Sequence, residues 1–180
     1  MTPIGYLVVD LVEGAGYVGG VLVTDGHGLP LEFRHTLPVR PTKLQRALYG
    51  GALDRYLRAV VITRRLLDGL ERKPGLVLLG DAALIGESDP PLGFLADGGV
   101  EPLGPAGTFT QFEGAQRGVL LQLRTGDAPV RLVTEAPTEA LPDIARLVLS
   151  AATTMDVREP LQRVTAGLRL IARGDVADAA

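Results

Sequence analysis

The chain has no cysteine and no tryptophan, and only two histidines. Without thiols there is no disulfide framework, no thiolate metal site and no cysteine nucleophile. His27 and His35 cannot build a multi-histidine zinc site by themselves, and they are the sole candidates for a histidine general base. Aromatic residues make up 4% of the chain, which weighs against single-strand recognition by base stacking. The longest unbroken apolar runs, such as Ala59–Ile62 and Leu76–Leu79, fall far short of the roughly 20 residues a membrane span needs. The opening segment MTPIGYLVVDLVEGAG lacks a basic start and carries Asp10 and Glu13, so it does not read as a signal peptide. No dinucleotide or phosphate loop, HExxH, GxSxG or EF-hand pattern occurs, and no cofactor or metal is expected.

What is present suits a globular protein. The 180 residues are 46% hydrophobic and 22% charged, with mean hydropathy +0.22. Such a chain can bury about 70% of its unfolded surface, so the expectation is one cytoplasmic domain over residues 1–180. The net charge of −3 hides an asymmetry. Residues 34–73 hold ten Lys/Arg against three Asp/Glu, +7, while the remainder stands at −10. Arg34, Arg40, Lys43, Arg46, Arg55 and Arg58 are therefore candidates for a contiguous surface facing nucleic acid or an acidic partner. The plainer reading is a solvated helix face with internal ion pairs.

Along the chain, Ile4–Val12 and Tyr17–Thr24 read as strands, broken by Gly14-Ala15-Gly16. Gly19-Gly20 inside the second suggests a bulge or a close backbone approach. Asp25-Gly26-His27-Gly28 is a turn, and Leu29–Leu37 alternates as a third strand with Leu31, Phe33 and His35 on one face. Thr42 is an N-cap candidate for a helix that Gly50-Gly51 breaks or kinks and that resumes near Leu53–Leu70. Leu76–Leu79 reads as a short buried strand. Residues 86–118, rich in glycine and proline, read as loops and short extended pieces. A second hairpin spans Gly118–Leu123 and Val130–Glu135. Thr138 opens a helix through Ser150, Asp156–Ala172 is a last amphipathic helix, and 175–180 is a frayed tail. The expected class is α+β: a three-stranded antiparallel meander, a crossover helix, a fourth strand, a second hairpin and two C-terminal helices.

The segment PLEFRHTLPVRPTKLQRALYG, residues 30–50, is the most individual part. With GGVLVTD before it, it resembles the core of an uncharacterised bacterial family, over roughly residues 5–80. The resemblance implies no activity and carries no functional residue onto this chain. The strand–strand–strand–helix–strand order also looks like the front half of a ribonuclease-H-like fold. Such nucleases place acids on the first strand, the first helix and after the fourth strand to hold two metal ions. Asp10, Asp54 and Asp81 occupy those places, although the Pro/Gly-rich stretch after Asp81 departs from the pattern.

The last helix carries an apolar stripe, Val157, Leu161, Val164, Leu168 and Ile171, whose steps of 4, 3, 4 and 3 keep one face. That stripe is buried either on its own domain or on a partner or second copy. The poverty of histidine, cysteine and motifs favours a non-enzymatic regulatory, adaptor or assembly subunit working through protein surfaces. The alternatives are a nucleic-acid binder using residues 34–73 and a ribonuclease-H-like metal-dependent nuclease.

Overall fold

A computed structural model describes residues 2–175. The tail expected at 175–180 lies, apart from Asp175, outside the described residues. The class is mixed α and β, with all eight strands in one sheet of order β3-β2-β1-β4-β5-β8-β7-β6. The strands are β1 (Ile4–Val12), β2 (Gly16–Thr24), β3 (Pro30–His35), β4 (Leu76–Leu79), β5 (Leu92–Asp97), β6 (Phe109–Phe112), β7 (Gly118–Leu121) and β8 (Val130–Thr134). β1 and β2 pair antiparallel from Ile4 opposite Thr24 to Val12 opposite Gly16. β4 runs parallel to both β1 and β5. β1-β2-β3 pair as an antiparallel meander and β7-β8 as an antiparallel hairpin, and the correction falls on residues 86–118, expected as loops and short extended pieces. Residues 86–118 supply β5 and β6, so the later strands continue the first sheet instead of forming their own. Local sequence could not announce this, because β5 finds its neighbours on β4 and β8.

A parallel β1–β4 pair demands a crossover connection, and residues 43–68 supply it. It runs as α1 (Lys43–Tyr49), a 3₁₀ turn at Gly50–Ala52, α2 (Leu53–Arg55), a π-helical segment at Tyr56–Thr63 and α3 (Arg64–Asp68). Thr42 caps α1 in a capping box with Gln45. The β-branched run Val60–Thr63 falls in the π-helical segment, where the Thr63 hydroxyl donates to the Arg58 carbonyl five residues back at 2.8 Å. The helices α4 (Leu141–Ala152) and α5 (Glu159–Arg173) cover the other face. α4 starts after a 3₁₀ turn at Thr138–Ala140, with no side-chain cap from Thr138.

The sheet is thus sandwiched, and β4 shows it in alternate residues. Leu76 and Leu78 join the core under α4 and α5, while Val77 and Leu79 join the core under the crossover. Gly19 and Gly20 give the close approach on both faces. A Cβ on Gly19 would lie 2.2 Å from Ile62 Cγ2 of the crossover, and one on Gly20 would lie 3.0 Å from Leu168 Cδ2 of α5. α5 packs on β1 and β2, with Val157, Val164 and Leu168 buried and Leu161 and Ile171 against the same core. The interface reading of that stripe is corrected: the stripe is the domain's own core, because β1 and β2 need a cover on that face.

β3 alternates with the face opposite to the expected one turned inward. Its more buried side chains are Glu32 and Arg34, while Leu31, Phe33 and His35 are exposed. β3 is an edge strand, and Glu32 takes the backbone N–H groups of Glu71 and Arg72 at 3.1 and 2.8 Å. Among the described residues, no helix is long and apolar enough to cross a membrane.

Candidate functional site

In sheets with parallel strands, ligands sit beyond the carboxyl ends where neighbouring connections part. Here the carboxyl end of β4 lies beside the middle of β1, and the Gly80 N–H bonds to the Leu7 carbonyl at 2.9 Å. β1 continues past β4 to Asp10, which points to the α5 side of the sheet in step with Tyr6 and Val8. Asp81 follows β4 and caps the short turn Ala82–Leu84, accepting from the Ala83 N–H at 2.9 Å. Asp10, Arg58 and Asp81 line one notch, together with Val8, Val9, Gly80, Ala82, Phe94 and Thr165.

Arg58 reaches this notch from the π-helical segment. Its Nη1 lies 3.2 Å from Asp81 Oδ2 and 3.8 Å from Asp54 Oδ2, and its Nη2 donates to the Val9 carbonyl at 2.7 Å. The side chain is 22% exposed, and its Nε is buried without a partner. Asp54 stands on the far side of Arg58, in an adjoining hollow with Arg55, Ala83 and Ile85. Tyr17 donates its hydroxyl to Asp54 Oδ1 at 3.0 Å. Burial, then the bond to Asp54, pushes the Tyr17 phenol above its ordinary value. The Asp10 carboxylate has no hydrogen bond or ion pair among the described residues.

Asp54 and Asp81 therefore flank Arg58, and Asp10 lines the same notch as Arg58 and Asp81. A carboxylate trio of this kind implies divalent cations. The residues present do not fit one as arranged. A guanidinium occupies the space between Asp54 and Asp81, and no group of three or more His, Asp or Glu among the described residues could hold a metal ion.

The basic candidates divide. Arg34 bonds Glu32 and Glu71 at 2.6 and 2.7 Å on β3. Arg40 donates its Nε to the Ala15 carbonyl at 2.7 Å and its Nη2 to the Gly14 carbonyl, which pins the strand-to-helix corner to the β1–β2 turn. Arg40, Lys43 and Arg46 line one shallow hollow with Leu11 and Glu13, Arg55 is exposed beside Asp54, and Arg58 is the cation of the notch. The expected continuous basic surface is corrected accordingly: Arg34 and Arg58 are paired internally, and Arg40, Lys43 and Arg46 stay grouped. The part played by Arg58 was missed in the sequence. Its signal was the four-residue step from Asp54 on a helix, a spacing that brings opposite charges together.

No protein-family model matches the chain, and no curated protein matches it. Solved structures do. The endonuclease V of Streptomyces avermitilis matches at 16% identity and TM-score 0.61, covering 97% of this chain and 83% of that one. The fold is similar to that of endonuclease V. The catalytic domain of human endonuclease V matches at 14% identity and TM-score 0.51, covering 98% of this chain and 84% of that one. The Ciona intestinalis endonuclease V, in complex with a 23mer DNA containing an inosine, matches at 11% identity and TM-score 0.55, covering 97% of this chain and 86% of that one. A fold shared with nucleases over nearly the whole chain overturns the expectation of a non-enzymatic adaptor or complex subunit acting through protein surfaces.

Proposed function

We propose that this chain is a nuclease acting on a nucleic-acid strand laid across the carboxyl ends of β1 and β4. The observation that supports it is Arg58 held between Asp54 and Asp81, with Asp10 lining the same notch, on an endonuclease V-like fold. Fold likeness alone argues by analogy. The site adds residues with roles. Asp10, lacking a partner among the described residues, accepts the proton of the attacking water. Arg58 meets the charge that develops on the phosphate oxygens as the water oxygen bonds to phosphorus. The leaving oxygen takes its proton from solvent. Arg40, Lys43 and Arg46 supply backbone-phosphate contacts on the neighbouring surface.

The test uses labelled single-stranded, duplex and RNA–DNA hybrid oligonucleotides, with Mg²⁺ and in chelator, resolved on denaturing gels and by filter binding. The expected result is cleavage that Asp10→Asn abolishes while binding persists and weakens with salt. A chain that neither binds nor cuts overturns the proposal. Binding without cutting leaves the second reading, a nucleic-acid binder. The tethering of Arg58 to Asp54, Asp81 and the Val9 carbonyl favours that reading, because it commits much of the guanidinium to internal partners.

A further inference from the structure

We infer that Arg58 is the resident cation of this notch and keeps divalent metal ions out of the space between Asp54 and Asp81. The inference takes the site from the proposed function but does not depend on whether the strand is cut. The oxygens that hold the guanidinium come from three places in the fold: the Val9 carbonyl near the end of β1, the Asp54 carboxylate on α2, and the Asp81 carboxylate after β4. Two carboxylates and a backbone carbonyl make the donor set a hard cation would use. Here they are spent on one planar, five-donor group.

Arg58 is also fixed from behind. The Thr63 hydroxyl, buried and five residues on, holds the Arg58 carbonyl at 2.8 Å, so the π-helical register sets where the side chain departs. Its Nε is enclosed without a partner, which leaves the head little room to swing aside. A metal ion entering between the carboxylates must displace the guanidinium from both acids and from Val9. Two cations within a few ångströms then repel each other in a partly desolvated site. The arrangement trades an exchangeable ion for a covalently attached one.

The experiment is a Mn²⁺ titration followed by electron paramagnetic resonance and calorimetry, without nucleic acid. The full chain should show no saturable Mn²⁺ site that Asp81→Asn removes. Arg58→Ala should create one, tightened on the order of tenfold or more by removal of the repelling charge, and Arg58→Ala with Asp81→Asn should lose it again. Arg58→Met keeps the length of the stem without the charge and gives the same readout if the alanine variant fails to fold. Mn²⁺ binding by the unsubstituted chain that depends on Asp81 overturns the inference. So does a folded Arg58 variant that gains no site. Failure to cleave oligonucleotides bears on the proposed function alone, because ion binding is read directly.

Discussion

The two covers of the sheet are built on different terms. On one face α4 and α5 are regular helices whose apolar sides vanish into the core: Ile144, Ala145 and Val148 from one, Val164 and Leu168 from the other. On the other face the crossover changes helical type four times between Lys43 and Asp68, and α1 buries none of its residues. Leu44 and Leu48 are 67% and 73% exposed there, and Tyr49 stacks on Tyr56 with both rings partly in solvent. The regular cover carries stability. The irregular cover carries Asp54 and Arg58, and π-helical segments recur at functional sites because they aim side chains that a regular helix would turn elsewhere.

This contrast can be broken by experiment. Leu168→Ala removes a fully buried side chain from the regular cover and should cost about 2–5 kcal/mol, read from the midpoint of chemical denaturation. A loss under 0.5 kcal/mol, the usual range for a surface change, would mean that α5 is not the structural cover described. Gly19→Ala tests the other face. The new methyl meets Ile62 at 2.2 Å, so the π-helical segment must shift, at a cost of about 1–3 kcal/mol. The same variant should disturb the Arg58 ion pairs, visible as changed nucleic-acid binding beyond what the stability loss explains.

Glu32→Gln should have the smallest effect, about 1–2 kcal/mol, because it weakens charge-assisted bonds that tie the edge strand to the end of the crossover. Burial works to raise the Glu32 carboxyl, but Arg34 and the N–H groups of Glu71 and Arg72 outweigh it and hold the group below its ordinary value. A carboxyl depressed in the folded state stabilises above its unfolded pKa and loses that stability as pH falls through the folded value. The unsubstituted chain should therefore lose stability on acidification below about pH 4.5, and the glutamine variant should lose less over that window. Parallel acid titrations of the two proteins by circular dichroism decide it, and identical slopes would remove Glu32 from the account.

The mixed α+β class was legible, and so was why. Turn residues at Gly14-Ala15-Gly16 and Asp25–Gly28 act locally, and the stripe from Val157 to Ile171 has a helix period that no strand shares. The placement of β5 and β6 was not legible, since proline and glycine mask short strands whose partners lie far away in sequence. On β3 the apolar alternation pointed the wrong way for burial, because an edge strand lets Leu31 and Phe33 remain exposed while Glu32 finds distant N–H partners. At the site, Asp10, Asp54 and Asp81 could be named from the order of elements. The Arg58 contact with Asp81 could not, because Asp81 lies beyond the crossover and its distance from Arg58 is set by the sheet, not by the helix.

The seating of α5 on β1 and β2 has a consequence for synthesis. β1 and β2 leave the ribosome before the other elements of this fold, and find their cover only when residues 159–173 have been made. Until then Tyr6, Val18 and Leu22 present an apolar sheet face to the cell, flanked by β3 as an open edge. Nascent chains in that condition are prone to pair with one another. Slow translation of the last helix should therefore raise aggregation more than slow translation of the crossover.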